Sequence, residues 1–209
     1  IAGALDFASA LRLVALRGDL MEQAYPEGYG LTAIMGLTRP RVEALMQGHE
    51  VYLANLNAET QIVIAGGDEA MAEVAQLALQ AGASKAQRLA VSVPSHCALL
   101  DKPAAALAKA FANLTLTRPQ CAYLSGSTAR VLWDPQRIAD DLAMNMARTV
   151  HWQEAMIAAD ERDARLAIEM PPGGVLTCLT RQAGWRGETI ALERSGVDVA
   201  RHLAQRLSD

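Results

Sequence analysis

Apolar residues recur at helical spacing from Asp6 to Ala24, and within that stretch Arg17 has Leu13, Val14, Leu20 and Met21 as its neighbours three and four positions away. Asp6 is the expected N-cap of this helix. Beyond the turn-rich stretch Tyr25 to Gly30 the pattern shortens. Leu31 to Met35 reads as a strand, and Arg39 to Gln47 as a helix capped by Thr38 with Pro40 in its first turn. Val51 to Asn55 and Gln61 to Ala65 read as strands, Asp68 caps a helix to Ala81 that Gly82 ends, and Ala86 to Val93 holds the next strand. The order is β-α-β-β-α-β, a ferredoxin-like arrangement. From His96 onward helices (Pro103 to Leu114, Ile138 to Met146, Trp152 to Ala159, Val175 to Gln182, Val197 to Leu207) alternate with strands (Gln120 to Leu124, Ala164 to Glu169, Thr189 to Leu192). That alternation predicts an α/β layered core with a mostly parallel sheet. The division it implies is a core of residues 1–28 and 94–209 with a small subdomain of residues 29–93 inserted.

With 209 residues, 51% hydrophobic and 20% charged, the chain can bury a sizeable core. A net charge of −4 and 4% aromatics give neither a phosphate-tracking surface nor base-stacking platforms, which argues against nucleic acid as a partner. Cys97, Cys121 and Cys178 are odd in number and far apart, as expected of a cytoplasmic protein without a disulfide framework. No apolar run reaches membrane-spanning length. The sequence opens at Ile1 without an initiator Met and almost directly into a helix, so further chain upstream is expected.

Two residues carry candidate chemistry. The run Val91-Ser92-Val93-Pro94-Ser95-His96-Cys97 reads as a strand closed by Pro94 that leaves an imidazole at a strand-to-helix corner, where it can act as a base near neutral pH or merely satisfy a turn carbonyl. Arg17 rises from an apolar helix face, and an unpaired buried cation costs several kcal/mol in order of magnitude; it must reach solvent, pair with a carboxylate of the protein, or meet an anionic ligand. Arg12 lies on the more polar side near Asp19. His49, His151 and His202 are scattered without ligand spacing, so no metal is expected.

The Leu-Arg-Gly helix, Asn55-Leu56-Asn57 followed by Gln61-Ile62-Val63-Ile64-Ala65-Gly66, then Ser92 to Cys97, and Glu169 with Pro172-Gly173 and Val175-Leu176-Thr177 together resemble the malonyl-CoA:acyl-carrier-protein transacylase family over essentially the whole chain. The resemblance implies an α/β-hydrolase-like core with a ferredoxin-like insertion. It implies a two-step transfer, in which a serine takes the malonyl group from coenzyme A and passes it to a carrier-protein thiol. It makes His96 the base, Arg17 the clamp for the free malonyl carboxylate, and Asn145 the residue whose backbone carbonyl orients the imidazole. Asn57 corresponds to an asparagine lining the cleft between the subdomains, although a turn-forming Asn between two strands has the same signature. No cofactor is implied beyond the coenzyme A thioester substrate; the implied partners are malonyl-CoA and an acyl carrier protein.

The family's Gly-His-Ser-x-Gly elbow is missing, and no Gly-x-Ser-x-Gly occurs anywhere. Ser95 and Cys97 are poor substitutes, because adjacent side chains diverge from His96. Taken alone the chain is expected to be inactive. Met170-Pro171-Pro172-Gly173 and Ala143-Met144-Asn145-Met146-Ala147-Arg148 depart from the fatty-acid-synthesis pattern and resemble the malonyltransferase (epsilon) subunit of malonate decarboxylase, with that complex's other subunits as further partners. The competing readings are the fatty-acid-synthesis transacylase and a non-catalytic module that docks a carrier protein or coenzyme A. Lys85, Arg88, Arg181 and Arg186 are either solvated charges or contacts for coenzyme A phosphates or an acidic carrier protein.

Overall fold

In the computed structural model, which describes residues 2–25 and 27–208 and only the backbone of Ser208, Asp6 accepts a hydrogen bond of 2.9 Å from the Ser9 N–H and starts helix α1 (Phe7–Ala24). Ile1, Asp209 and Pro26 of the turn-rich stretch lie outside the described residues. The inner side of α1 packs Leu13 and Met21 against Leu100, just before helix α4 (Asp101–Ala112), against Ala104, Leu107 and Phe111 along that helix, and against Ala139 and Ala143 of helix α5 (Pro135–Met144). Its outer side leaves Phe7, Leu11 and Val14 in solvent.

Strands β1 (Tyr29–Met35), β2 (Val51–Ala58), β3 (Gln61–Gly67) and β4 (Lys85–Arg88) form one sheet in the order β2-β3-β1-β4, antiparallel throughout. Because side chains alternate along a strand, Ile34, Ile62 and Ile64 face helices α2 (Arg39–Met46) and α3 (Asp68–Gln80), where they meet Val42, Met71, Val74 and Ala78. Leu31, Ala33, Val63 and Ala65 face the other way, onto Ala54 and Cys97. Both faces are covered, so β3 holds the unbroken apolar run Ile62 to Ala65 and β1 is apolar from Leu31 to Met35 but for the buried Thr32; each fully buried Ile or Val stabilises by about 1.5–3 kcal/mol. Cys97 on the back face ties the sheet to the His96 corner.

The later chain supplies a two-stranded hairpin, β5 (Tyr123–Leu124) with β6 (Val131–Leu132), then helix α6 (Trp152–Asp160). Strands β7 (Leu166–Glu169) and β8 (Glu188–Ala191) pair in parallel across helix α7 (Val175–Gln182), and α8 (Leu192–Ser208) closes the chain with a break at Gly196. The whole is a mixed α/β fold.

Several expectations need correction. Among the described residues the parallel ladder is confined to β7 and β8, plus a single bridge from Asn55 to Val150, and the largest sheet is antiparallel. The strand expected to run to Val93 stops at Arg88, because the Arg88 guanidinium takes the carbonyls of Leu89 and Val91 that would have continued the ladder. Gln120 to Leu124 contracts to Tyr123–Leu124. Asp68 is the first helical residue of α3 rather than its cap, which is Gly67.

Candidate active site

Pro94 and Ser95 are buried, and the chain turns at His96 with φ at 66°, the left-handed region that a non-glycine residue enters at a cost. The corner is fastened twice to the short 3-10 turn Asn145–Ala147: the His96 N–H donates to the Met146 carbonyl at 2.6 Å, and ring Nδ1 lies 2.9 Å from the Asn145 carbonyl oxygen. A carbonyl only accepts, so Nδ1 carries the hydrogen and Nε2 keeps its lone pair. Burial lowers the pKa of His96, the bond to Asn145 opposes this, and the charge of Arg17 lowers it further. The ring is therefore neutral near pH 7 and can take a proton on Nε2.

Arg17 is half-buried on α1, and among the described residues its guanidinium has no hydrogen bond or ion pair. Burial lowers its pKa, yet nothing brings an arginine near neutrality. It lines a 240 Å³ hollow walled by Leu13, Val14, Leu107, Phe111 and Leu142. Leu13 and Met21 are buried as expected, but Val14 is 67% exposed, so Arg17 stands at the margin of the apolar face. Its charge reaches His96.

Neither neighbour of His96 is placed as a nucleophile. Cys97 donates its thiol to the Pro94 carbonyl at 3.2 Å, and burial pushes its pKa up to about 11. Ser95 is buried and makes no side-chain bond to the imidazole. Asn57 is a buried strand residue of β2, at a shift in register between Leu56 and Ala58. The turn to β3 is made by Glu59 and Thr60, so Asn57 is not the turn-forming residue that its sequence signature also allowed. No hydrogen bond or ion pair among the described residues joins it to Arg17 or His96.

The four cations singled out in the sequence fall differently. Arg88 donates to the carbonyls of Tyr29, Leu31, Leu89 and Val91 and to Asp68, and is consumed by the fold. Arg186 pairs with Asp160 at 2.6 Å, and Arg181 donates to the Thr189 carbonyl at 3.2 Å. Lys85 is exposed at the start of β4. His49 meets Glu73 at 3.1 Å and His151 meets Glu154 at 3.3 Å, while His202 is exposed. Among the described residues no three His, Cys, Asp or Glu side chains cluster as metal ligands, and no helix is long and apolar enough to cross a membrane.

Glu169 at the end of β7 accepts from the Thr177 hydroxyl at 2.6 Å, the Thr177 amide at 2.7 Å and the Leu176 amide at 3.0 Å. Burial pushes its pKa up, but these bonds at the start of α7 outweigh it and hold the carboxyl below its usual range. A second buried carboxylate went unread in the sequence. Asp141 accepts from Tyr123 at 2.7 Å, Ser125 at 2.8 Å and Ser127, tying α5 to the β5–β6 hairpin. Its signal was an acid three positions after Ile138, on the side of the helix that faces inward.

A neutral imidazole aimed by a main-chain carbonyl thus lies within electrostatic reach of a guanidinium that no group among the described residues neutralises. The chain belongs to the acyl transferase domain family, whose sequence pattern matches residues 1–204. It is 37% identical over 186 residues to the malonyl CoA-acyl carrier protein transacylase of Haemophilus influenzae, covering 87% of this chain and 60% of that protein, and 32% identical over 200 residues to that of Bacillus subtilis, covering 91% and 62%. The malonyl CoA-acyl carrier protein transacylase of Coxiella burnetii superposes with a TM-score of 0.92 at 30% identity, over all of this chain and 67% of its own. A malonyl-transacylase solved in complex with a type II polyketide acyl-carrier protein superposes with a TM-score of 0.89 at 33% identity, over 98% of this chain and 67% of its own. The chain thus spans about 60% of the length of the curated relatives it matches.

Proposed function

We propose that these residues handle the malonyl group in an enzyme that moves malonyl from coenzyme A to the thiol of an acyl carrier protein. The observation that carries the reading is the pair Arg17 and His96: a guanidinium with no partner among the described residues, at an apolar hollow and within electrostatic reach of a neutral, carbonyl-held imidazole. In this reading Arg17 grips the free carboxylate of the acyl group through a bidentate fork. His96 Nε2 takes a proton from the attacking nucleophile and returns it to the leaving thiolate, while the Asn145 carbonyl fixes the ring's tautomer. Asn57 lines the approach. The element order β-α-β-β-α-β with sheet order β2-β3-β1-β4 supports a ferredoxin-like unit of residues 29–93 inserted in an α/β-hydrolase-like core of residues 1–28 and 94–209.

No serine or thiol among the described residues bonds the imidazole, so the 209 residues alone are expected to bind the malonyl group without forming a malonyl-enzyme. The three cysteines are free, in keeping with work in the cytoplasm. Within the family, Met170-Pro171-Pro172-Gly173 and Ala143 to Arg148 favour the malonyltransferase of malonate decarboxylase, working beside that complex's other subunits. The names of the relatives above favour the transacylase of fatty-acid synthesis as the second reading.

The test is equilibrium binding of malonyl-pantetheine and acetyl-pantetheine to the chain and to Arg17→Gln. Malonyl binding is expected to fall about ten- to a hundred-fold, the worth of a charge-assisted pair, with acetyl binding unchanged. Equal affinity for the two acyl groups in the unsubstituted chain would remove the reading.

A further inference from the structure

The β5–β6 hairpin and the helix after it frame a hollow of about 480 Å³ lined by Thr128, Arg130, Arg137, Asp140, Asp141 and Arg148. Three separate pieces of chain deliver its guanidiniums. Arg130 comes from the hairpin loop, Arg137 from the first turn of α5, and Arg148 from the residue that closes the 3-10 turn Asn145–Ala147. All three are exposed, and among the described residues none of their side chains makes a hydrogen bond or ion pair. Among the described residues neither carboxylate of the hollow forms an ion pair with them, and three cations against two carboxylates leave a positive balance. Asp141 is taken up by the hydroxyls of Tyr123, Ser125 and Ser127, and Asp140 takes the Gln136 amide at 3.2 Å.

Like charges gathered around one concavity repel, and an anion of more than one charge relieves all of them together. Planar guanidinium forks match phosphate oxygens, and a concave wall suits a compact group better than the flat face of a protein. The hollow is also joined to the candidate base. The Arg148 amide donates to the Asn145 carbonyl at 3.2 Å, the same oxygen that holds the His96 ring.

We propose that this hollow is a phosphate subsite for the phosphorylated end of a pantetheine thioester. The identity of the ligand rests on the malonyl-transfer reading; anion binding by the three arginines does not. The phosphates of coenzyme A and the phosphodiester of a carrier protein's pantetheine arm share this chemistry, and the arm keeps either one apart from the reacting sulfur.

Calorimetric titration of the 209-residue chain at low ionic strength uses adenosine 3′,5′-bisphosphate, 4′-phosphopantetheine and unphosphorylated pantetheine as probes. At least one phosphorylated probe is expected to bind and to weaken ten-fold or more in the double variant R137Q/R148Q, with no change in R41Q, an exposed arginine of α2 that controls for bulk charge. Binding of the bisphosphate assigns the site to coenzyme A, and binding of phosphopantetheine alone assigns it to the carrier's arm. Failure of both probes to bind the unsubstituted chain, or equal binding by the double variant, overturns the subsite. The Arg17→Gln comparison with malonyl-pantetheine carries no phosphate, so either proposal can fail while the other stands.

Discussion

The ring of His96 and the main-chain carbonyl of Asn145 stand 2.9 Å apart, so the residue that aims the imidazole does so without using its own side chain. The electrostatics of the ring are set from another direction, by burial and by Arg17. These two influences can be separated by substitution.

His96 is expected to titrate below its ordinary value of 6.5, because burial and then the Arg17 charge disfavour the protonated ring against the opposing bond to Asn145. Between the folded and unfolded values the unfolded chain binds more protons, so stability rises with pH and is lost as pH falls below 6.5. In histidine-detected NMR titrations Arg17→Gln should raise the His96 midpoint and Asn145→Ala should leave it in place. An unmoved midpoint in Arg17→Gln would mean that the guanidinium does not act on the ring.

Thiol labelling should divide the cysteines two to one. Cys121 and Cys178 are exposed and react with a thiol reagent at pH 8 in the folded protein, whereas Cys97, buried with its pKa pushed up to about 11, reacts only after denaturant is added. Peptide mapping after labelling reads the result. Fast modification of Cys97 in the native state would reopen it as a nucleophile.

A methyl group at Gly30 would sit 2.2 Å from Arg88 Nη2 and 2.3 Å from the Val91 carbonyl oxygen. Gly30→Ala should therefore destabilise by about 1–3 kcal/mol, the usual cost of overpacking. Since Arg88 holds the Val91 carbonyl where it is, Gly30→Ala and Arg88→Ala should cost less together than the sum of each alone. Urea unfolding of the two single variants and the double variant measures the coupling.

Asp141→Ala strands three hydroxyl donors, of which Ser125 is wholly buried. Each buried group left without a partner costs about 1–3 kcal/mol, so a loss of at least about 2 kcal/mol is expected. Asp141→Asn keeps one acceptor oxygen and should lose less. The midpoint of urea denaturation orders the three proteins.

The centre of the sheet was legible because β1 and β3 are short, mostly apolar and bounded by turn residues, and because Asp6 and Gly82 mark helix ends in the way physics requires. Arg17 and His96 were legible for a related reason: a cation on an apolar face and an imidazole at a Pro-closed corner both break the surrounding pattern. The conformation of the corner was not. Nothing in Pro-Ser-His spells a left-handed residue, and the early end of β4 depends on the Arg88 guanidinium turning onto the carbonyls of Leu89 and Val91, which no pattern of apolar and polar positions signals. The Asp141 network escaped notice because its hydroxyl partners lie 14 to 18 residues away in sequence. Of the four cations singled out in the sequence, Arg88, Arg181 and Arg186 have partners within the fold and Lys85 is exposed, a division that charge alone does not reveal.

Position 96 sets the demands of main chain and side chain against each other. A φ of 66° costs an L-residue about 1–2 kcal/mol that glycine would not incur. A protein optimised only for thermal resistance would place glycine at this corner; under the role proposed for His96, folding is here subordinated to reactivity.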